Sequence, residues 1–260
     1  MLSGIIGNAL IQAGSIDYGA LVLAETPLVW YRFNETAAAT GVVDSSGNAL
    51  HGTYVDVSDG DLGQASITNN DETTCWKMDG VDARADVSAI DVPFRAMLAN
   101  DWTMEFWYKT TDEARQEIVT LYGGATPYVT VRLNTDAAYN DAAGRIKIYL
   151  ADVNSHKIEG GSPTDVSFGF TDGNPHHFVF KAYPSAGNLK LYIDGVEKTL
   201  TLGTTNALAG FTAGLSVSAH IGHYNASYPV DGTIDNFALY AKSLSEATIL
   251  AHYNAGKPAA

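Results

Sequence analysis

Asp235 lies in the run Thr233-Ile-Asp235-Asn-Phe237-Ala-Leu239-Tyr, and alternation along a strand would turn it the same way as Phe237 and Leu239. Glu35 follows Val29, Tyr31 and Phe33 in the same phase at the end of an earlier run. A carboxylate aimed at a core is costly unless a cation, an arginine or backbone donors compensate it. Between the two in sequence is Asp44-Ser-Ser-Gly47-Asn48-Ala-Leu-His51-Gly52, a turn rich in oxygen atoms. Calcium takes about six to eight oxygens from carboxylates, amides and carbonyls, so this loop plus one inward aspartate would suit it. The same residues also read as an Asx-turn at Asp44 and Asn48, with Asp235 ion-paired to Arg32 or Arg84.

A second chemistry is written in aromatic loops. Sugars stack their C–H faces on tyrosine or tryptophan while their hydroxyls bond to Asn and Asp. Tyr122-Gly-Gly-Ala-Thr-Pro-Tyr128, Tyr139-Asn140-Asp141 and His223-Tyr224-Asn225-Ala-Ser-Tyr228 offer that mixture. This makes Tyr122, Tyr128, Tyr139, His223, Tyr224 and Tyr228 the candidate carbohydrate-binding residues. Loops on a rigid scaffold are where binding residues concentrate. The alternative is that each tyrosine packs against its own loop.

Catalytic signatures point the other way. The chain has no G-x-S-x-G, H-E-x-x-H, P-loop or G-x-G-x-x-G motif. A retaining glycosidase needs two carboxylates about 5 Å apart. Glu105, flanked by Trp102, Phe106 and Trp107, stands alone in its run. The expectation is a protein that is not an enzyme. The seven histidines do not group as metal ligands, and the single cysteine, Cys75 beside Trp76, reads as a small buried apolar group.

The elements that must position these residues are strands. Trp102, Met104, Phe106 and Tyr108 alternate with Thr103, Glu105, Trp107 and Lys109. Val129, Val131 and Leu133, then Ile146, Ile148 and Leu150, do the same across an Asn/Asp/Gly-rich loop. Phe178 and Phe180 lead to Pro184 and Gly187, and Leu189, Leu191 and Ile193 return toward Asp194-Gly195, a hairpin followed by a second turn. The pattern predicts an all-β, two-sheet antiparallel sandwich. One short helix is expected near the C-terminus. Ser243-Leu-Ser-Glu246 has capping-box spacing, Ile249, Leu250 and Tyr253 share a face, and Gly256 stands where it would stop.

Residues 1–24 are small, apolar and glycine-punctuated, with Asp17 the first charge. They read as an extended arm, ordered either on another molecule or on the chain's own domain, which spans 25–260. No Lys or Arg precedes Arg32, so a secretory signal is not expected and the chain is expected to be made in a cytoplasm.

Hydrophobic residues make up 46% of the 260, enough to bury a core and too many for a disordered chain. No run reaches the roughly 18–20 apolar residues that span a bilayer. With 15 Lys+Arg against 29 Asp+Glu the formal net charge is -14, which disfavours nucleic acid and anionic membrane as partners.

Several short segments, taken in order, resemble one family. Trp30-Tyr-Arg-Phe-Asn-Glu35, Asp44-Ser-Ser-Gly-Asn48 and His51-Gly-Thr53 resemble the opening of laminin-G-like domains of the concanavalin A-like jelly-roll superfamily. Met78-Asp-Gly80, Trp102-Thr-Met-Glu-Phe-Trp107, His176-His-Phe178 and Leu191-Tyr-Ile-Asp-Gly195 continue the pattern. His220-Ile-Gly222, Gly232-Thr-Ile-Asp-Asn-Phe237 and Leu244-Ser-Glu-Ala-Thr-Ile249 close it, over about residues 26–256. The resemblance implies a curved jelly roll, binding rather than catalysis, and often a structural calcium. Its ligands here would be Asp44, Asn48 and Asp235, with Glu35 second-ranked.

A lone domain of this kind behind a glycine-rich leader is similar to phage virion proteins. That implies a tail, fibre or capsid-decoration protein located in the virion, held to other virion proteins by the N-terminal arm and binding host-surface polysaccharide. The alternatives are a purely structural capsid cement and an accessory carbohydrate-binding module of a glycan-processing system. A homo-oligomer is compatible with each.

Overall fold

The computed structural model describes residues 17–69, 74–123, 126–152, 156–208, 218–223 and 228–258. The described chain opens with α1 (Tyr18–Ala24), β1 (Val29–Tyr31), β2 (Thr53–Val55), β3 (Gln64–Ala65), β4 (Thr74–Asp79), β5 (Arg84–Asp86) and α2 (Asp91–Met97). The long strands follow: β6 (Trp102–Lys109), β7 (Gln116–Gly123), β8 (Thr126–Thr135), β9 (Asp141–Ala151), β10 (Lys157–Gly161) and β11 (His176–Tyr183). Then come β12 (Asn188–Ile193), β13 (Val196–Lys198), β14 (Thr201–Thr205), β15 (Ser218–Ile221), β16 (Asp231–Tyr240) and α3 (Glu246–Gly256).

The described strands form two sheets of eight. The first runs β13-β12-β11-β6-β16-β4-β3, with β1 also paired to β16, and the second runs β14-β10-β9-β8-β7-β15-β5-β2. Every pairing in them is antiparallel. The expected all-β sandwich of jelly-roll type is the observed one. The alternating residues of the sequence supply its interior: Met104, Phe106 and Tyr108 from β6 meet Val129, Val131, Leu133, Ile146, Ile148 and Leu150 from β8 and β9. Phe106 stacks on Phe178, Phe180 and Phe237 at centroid distances of 5.4, 5.8 and 6.3 Å, so one ring ties three strands of the first sheet together. Asp194 and Gly195, both at positive φ (56° and 75°), make the tight β12–β13 turn as expected.

A second, smaller core covers the outer face of the first sheet. There Trp107, Val179, Tyr192, Ala238 and Tyr240 pack beneath α1 and α3. Tyr18 and Val22, one helical turn apart, are fully buried in it. The expected extended arm is therefore corrected over residues 18–24: they form a helix packed on the chain's own domain. Residues 1–16 lie outside the described residues.

The C-terminal helix is present, with its details changed. Its N-cap is Ser245, whose hydroxyl accepts from the Thr248 amide at 3.0 Å, and not Ser243, which hydrogen-bonds Tyr183 instead. The buried face is Ile249, His252, Ala255 and Gly256, while Leu250 is 47% exposed. Gly256 is the last residue of the helix, as expected, with Lys257 beyond it already extended. A Cβ on Gly256 would sit 2.7 Å from the Trp107 indole and 3.0 Å from Tyr18, so only glycine lets α3 lie this close to the sheet.

Candidate functional site

The outer face of the second sheet carries polar side chains in register. Alternating with the core residues of β7–β10, Thr120, Thr130, Arg132, Lys147, Tyr149 and Glu159 point outward. Thr120 and Thr130 are directly opposite each other and buried, and their hydroxyls have no hydrogen-bond partner among the described residues. On this side Arg132 Nε donates to Glu117 Oε1 at 2.6 Å.

Two half-exposed tyrosines crown the end of this face where β7 starts and β8 finishes. Tyr139 is 43% exposed and Tyr228 40%. The β8–β9 turn that presents Tyr139 is organised by Asp136. Its carboxylate accepts from the amides of Ala138 (2.8 Å) and Asn140 (3.0 Å) and from Arg145 Nη1 (2.9 Å). Burial works against the Asp136 charge, but these donors outweigh it and hold the carboxyl below its usual range. Lys147 Nζ lies 3.3 Å from the Tyr139 ring centroid and donates to the Ala137 carbonyl at 2.7 Å. Burial pulls the Lys147 ammonium below its ordinary pKa. The Tyr139 hydroxyl donates to Glu159 at 3.3 Å.

Arg115 links the two tyrosines. Its guanidinium lies 4.7 Å from the Tyr228 ring centroid, donates to Asp141 Oδ1 at 2.6 Å and reaches the Tyr139 carbonyl at 3.4 Å. Each ring thus packs against a cation while about two fifths of the residue stays exposed, and Arg132 also lies 5.9 Å from the Tyr139 ring centroid. Both tyrosines sit at positive φ, 64° and 59°, a region that bulky residues rarely occupy. Strain of this kind concentrates at ligand sites.

Of the six residues expected to bind carbohydrate, Tyr139 and Tyr228 come together here. His223 follows β15 at the same end and is 4% exposed, so it supports the loop and offers little surface. Tyr122 and Tyr128 fall at the β7–β8 hairpin, the opposite end of the sheet, where only the backbone is described. Tyr224 lies outside the described residues.

The residues expected to hold calcium are not all brought together: Asp44 and Asn48 share one loop through Ser46, whereas Asp235 is bonded to the 66–68 segment. Asp235 does not face the sandwich core with Phe237 and Leu239. The ladder slips between Asp235 and Ala238, with Asn236 at φ 53°, and this bulge turns Asp235 to the outer face, opposite Trp107. Its carboxylate accepts from Ser66 Oγ (2.7 Å), Thr68 Oγ1 (3.1 Å), the Ile67 amide (3.3 Å) and Asn236 Nδ2 (2.7 Å). Burial outweighs these bonds and pushes its pKa up to about 7.

Asp44 accepts from the amides of Trp30, Ser46 and Leu50 and from Ser46 Oγ, at 2.9–3.0 Å. Asn48 donates to the carbonyls of Pro27 and Leu28. Glu35 accepts from the Val43 amide and the Tyr54 hydroxyl, both at 2.8 Å. Each carboxylate already accepts from protein donors, so in this structure these residues fix their own loops. Among the described residues no group of three or more His, Cys, Asp or Glu is arranged to hold a metal.

Glu105 is not alone. Fully buried, it accepts from Tyr240, lies 3.0 Å from His252 Nδ1 and 3.2 Å from His177 Nε2, and sits beneath α3. Burial would raise its pKa, but His252 and His177 reverse that and hold it well below the carboxylate range. Burial likewise opposes charge on His252, and Glu105 overrides it, raising the imidazole's pKa. The legible signal was its phase: Glu105 alternates in step with Trp107, so the outer face of β6 had to be covered too.

The receptor-binding domain of a botulinum neurotoxin C/D mosaic serotype superposes with a TM-score of 0.59 at 16% identity, covering 88% of this chain and 51% of that one. The binding domain of botulinum neurotoxin DC in complex with SialylT gives 0.59 at 12% identity, covering 89% and 52%. Domain 4 of AbnA, a GH43 extracellular arabinanase from Geobacillus stearothermophilus, in complex with arabinotriose, gives 0.56 at 17% identity, covering 88% and 98%. The chain spans about half the length of the neurotoxin domains and nearly all of the arabinanase domain. At these identities the likeness is one of fold. No curated protein sequence matches the chain. The family model of the concanavalin A-like lectin/glucanases superfamily matches residues 79–250, about two thirds of the sequence. With its two antiparallel sheets and lectin-type architecture, the chain belongs to that superfamily as a laminin-G-type member.

Proposed function

We propose that the protein is a non-catalytic glycan-binding protein whose site is the Tyr139–Tyr228 end of the second sheet's outer face. The observation that carries this reading is the pair of half-exposed tyrosine rings, each backed by a cation and joined through Arg115. A ring fixed from one side offers its other face to a sugar's C–H groups, and the neighbouring Arg, Asp and Glu side chains suit its hydroxyls. Superposition on domains solved with arabinotriose and with SialylT supports a lectin-like use of the fold.

In the same reading the glycan belongs to a bacterial envelope and the protein is carried on a virion, in a tail, fibre or capsid decoration. Residues 1–16, uncharged and apolar, make the attachment to other virion proteins. The test is binding of the purified chain to a panel of bacterial envelope polysaccharides. Saturable binding is expected, weakened about tenfold or more by Tyr139→Ala or Tyr228→Ala, equivalent to about 1.4 kcal/mol for each ring. Binding that both substitutions leave unchanged would move the site elsewhere. No binding at all would favour the purely structural decoration role.

A further inference from the structure

We infer that the site selects neutral polysaccharide and rejects carboxylated or sulfated glycans. This rests on the glycan-binding reading above and adds the ligand's charge class to it. Recognition of an acidic sugar calls for a cation whose charge is free to meet it, usually an arginine fork. The described site has cations in number, but each is already engaged. Arg115 is held by Asp141, Arg132 by Glu117 and Lys157 by Glu159. Arg145, just behind the Tyr139 turn, is held by both Asp136 and Asp165. Lys147 is spent on the Ala137 carbonyl and the Tyr139 ring, and is 2% exposed.

These five cations are matched by five carboxylates, and Asp112 beside Gln116 adds a sixth, so the patch carries no excess of positive charge on a molecule of formal charge -14. The paired groups still present polar edges. The Arg115 side chain is 16% exposed and that of Asp141 is 54% exposed, which sets donors beside acceptors with no net charge. A sugar hydroxyl, donor and acceptor at once, matches such an edge. A sugar carboxylate would meet Asp141, Glu117 and Glu159 at close quarters, and the field of the whole protein would repel it on approach.

The test is affinity electrophoresis of the full chain in gels containing neutral polysaccharide (dextran, mannan or arabinan) or acidic polysaccharide (alginate, hyaluronan or polysialic acid), at low and high salt. Retardation by a neutral polymer, at least tenfold stronger than by any acidic one and unchanged by salt, is the expected result. Preferential retardation by an acidic polymer, weakened by salt, would overturn the inference while leaving the glycan-binding reading intact. Retardation by none would remove that reading and this inference with it. Asp141→Asn, a change at an exposed side chain, removes the countercharge of Arg115 and is expected to create salt-sensitive binding to acidic polymers, several-fold above wild type. Its failure to do so, with the variant's melting temperature unchanged, would show that charge pairing does not set the ligand class and would also overturn the inference.

Discussion

Two buried carboxylates on the outer face of the first sheet are handled in opposite ways. Glu105 is charged because two imidazoles and a phenol hold it, whereas the donors around Asp235 and the charge of Arg32 do not outweigh its burial, and it retains its proton up to about pH 7. Their linkage to stability therefore differs. The depressed Glu105 pKa adds stability above the unfolded carboxylate pKa of about 4.3, lost only as pH falls through its folded value. The raised His252 pKa adds stability that is complete below about 6.5 and lost as pH rises through its folded value. Asp235 is raised from 3.8 to about 7, so between those values the folded state holds a proton the unfolded state has released. Stability must fall as pH rises across that window, by up to about 4 kcal/mol. Urea unfolding at pH 5, 7 and 9 checks this: Asp235→Asn should flatten the pH dependence, gaining on wild type as pH rises. Parallel curves for the two proteins would mean that Asp235 keeps an ordinary pKa.

At the scale of elements, the outer face of the first sheet is held by helices that touch it through very small residues. Gly256 lies against Trp107, and Gly19 of α1 against Trp30, where a Cβ would sit 3.0 Å from the indole. Because Trp107 is itself stacked between His177 and Tyr253, at 4.9 and 6.0 Å, it has no room to move aside. Gly256→Ala is therefore expected to destabilise by about 1–3 kcal/mol through overpacking, despite alanine's higher helix propensity. Ser245→Ala, which removes only the cap on the Thr248 amide, is expected to cost about 1 kcal/mol. Chemical denaturation of the two variants gives the comparison. A neutral or stabilising Gly256→Ala would show that α3 lies further from the sheet.

For the whole molecule, the domain begins before the strands do. Removing residues 1–24 deletes Tyr18 and Val22 from the second core and exposes Trp107 and His252, with which Tyr18 makes edge-to-face contacts at 6.4 and 6.0 Å. Burial of such side chains contributes about 1.5–3 kcal/mol each. The longer truncation is thus expected to melt well below the full chain, so attachment is tested with the shorter truncation of residues 1–16. If the virion reading holds, the shorter truncation alone abolishes incorporation into particles. Normal incorporation of a chain lacking residues 1–16 would sink that attachment. The expected boundary at residue 24 would have confounded the two effects.

Period-2 alternation in β6, β8, β9, β11 and β12 was enough to read an all-β sandwich, its core residues and its turns, because a strand's two faces are set locally by the pleat. What required the tertiary structure was every contact between distant elements. The bulge that turns Asp235 outward depends on register against β6, and alternation cannot foresee one inserted residue. Glu105 looked solitary because its partners are 72, 135 and 147 residues away. Six aromatic and histidine candidates read alike along the chain, yet strand order sends Tyr139 and Tyr228 to one end and the Tyr122–Tyr128 hairpin to the other. Residue types and local period are properties of the sequence. Which oxygen is already satisfied, and which ring keeps an open face, is decided only when the sheets bring remote segments together.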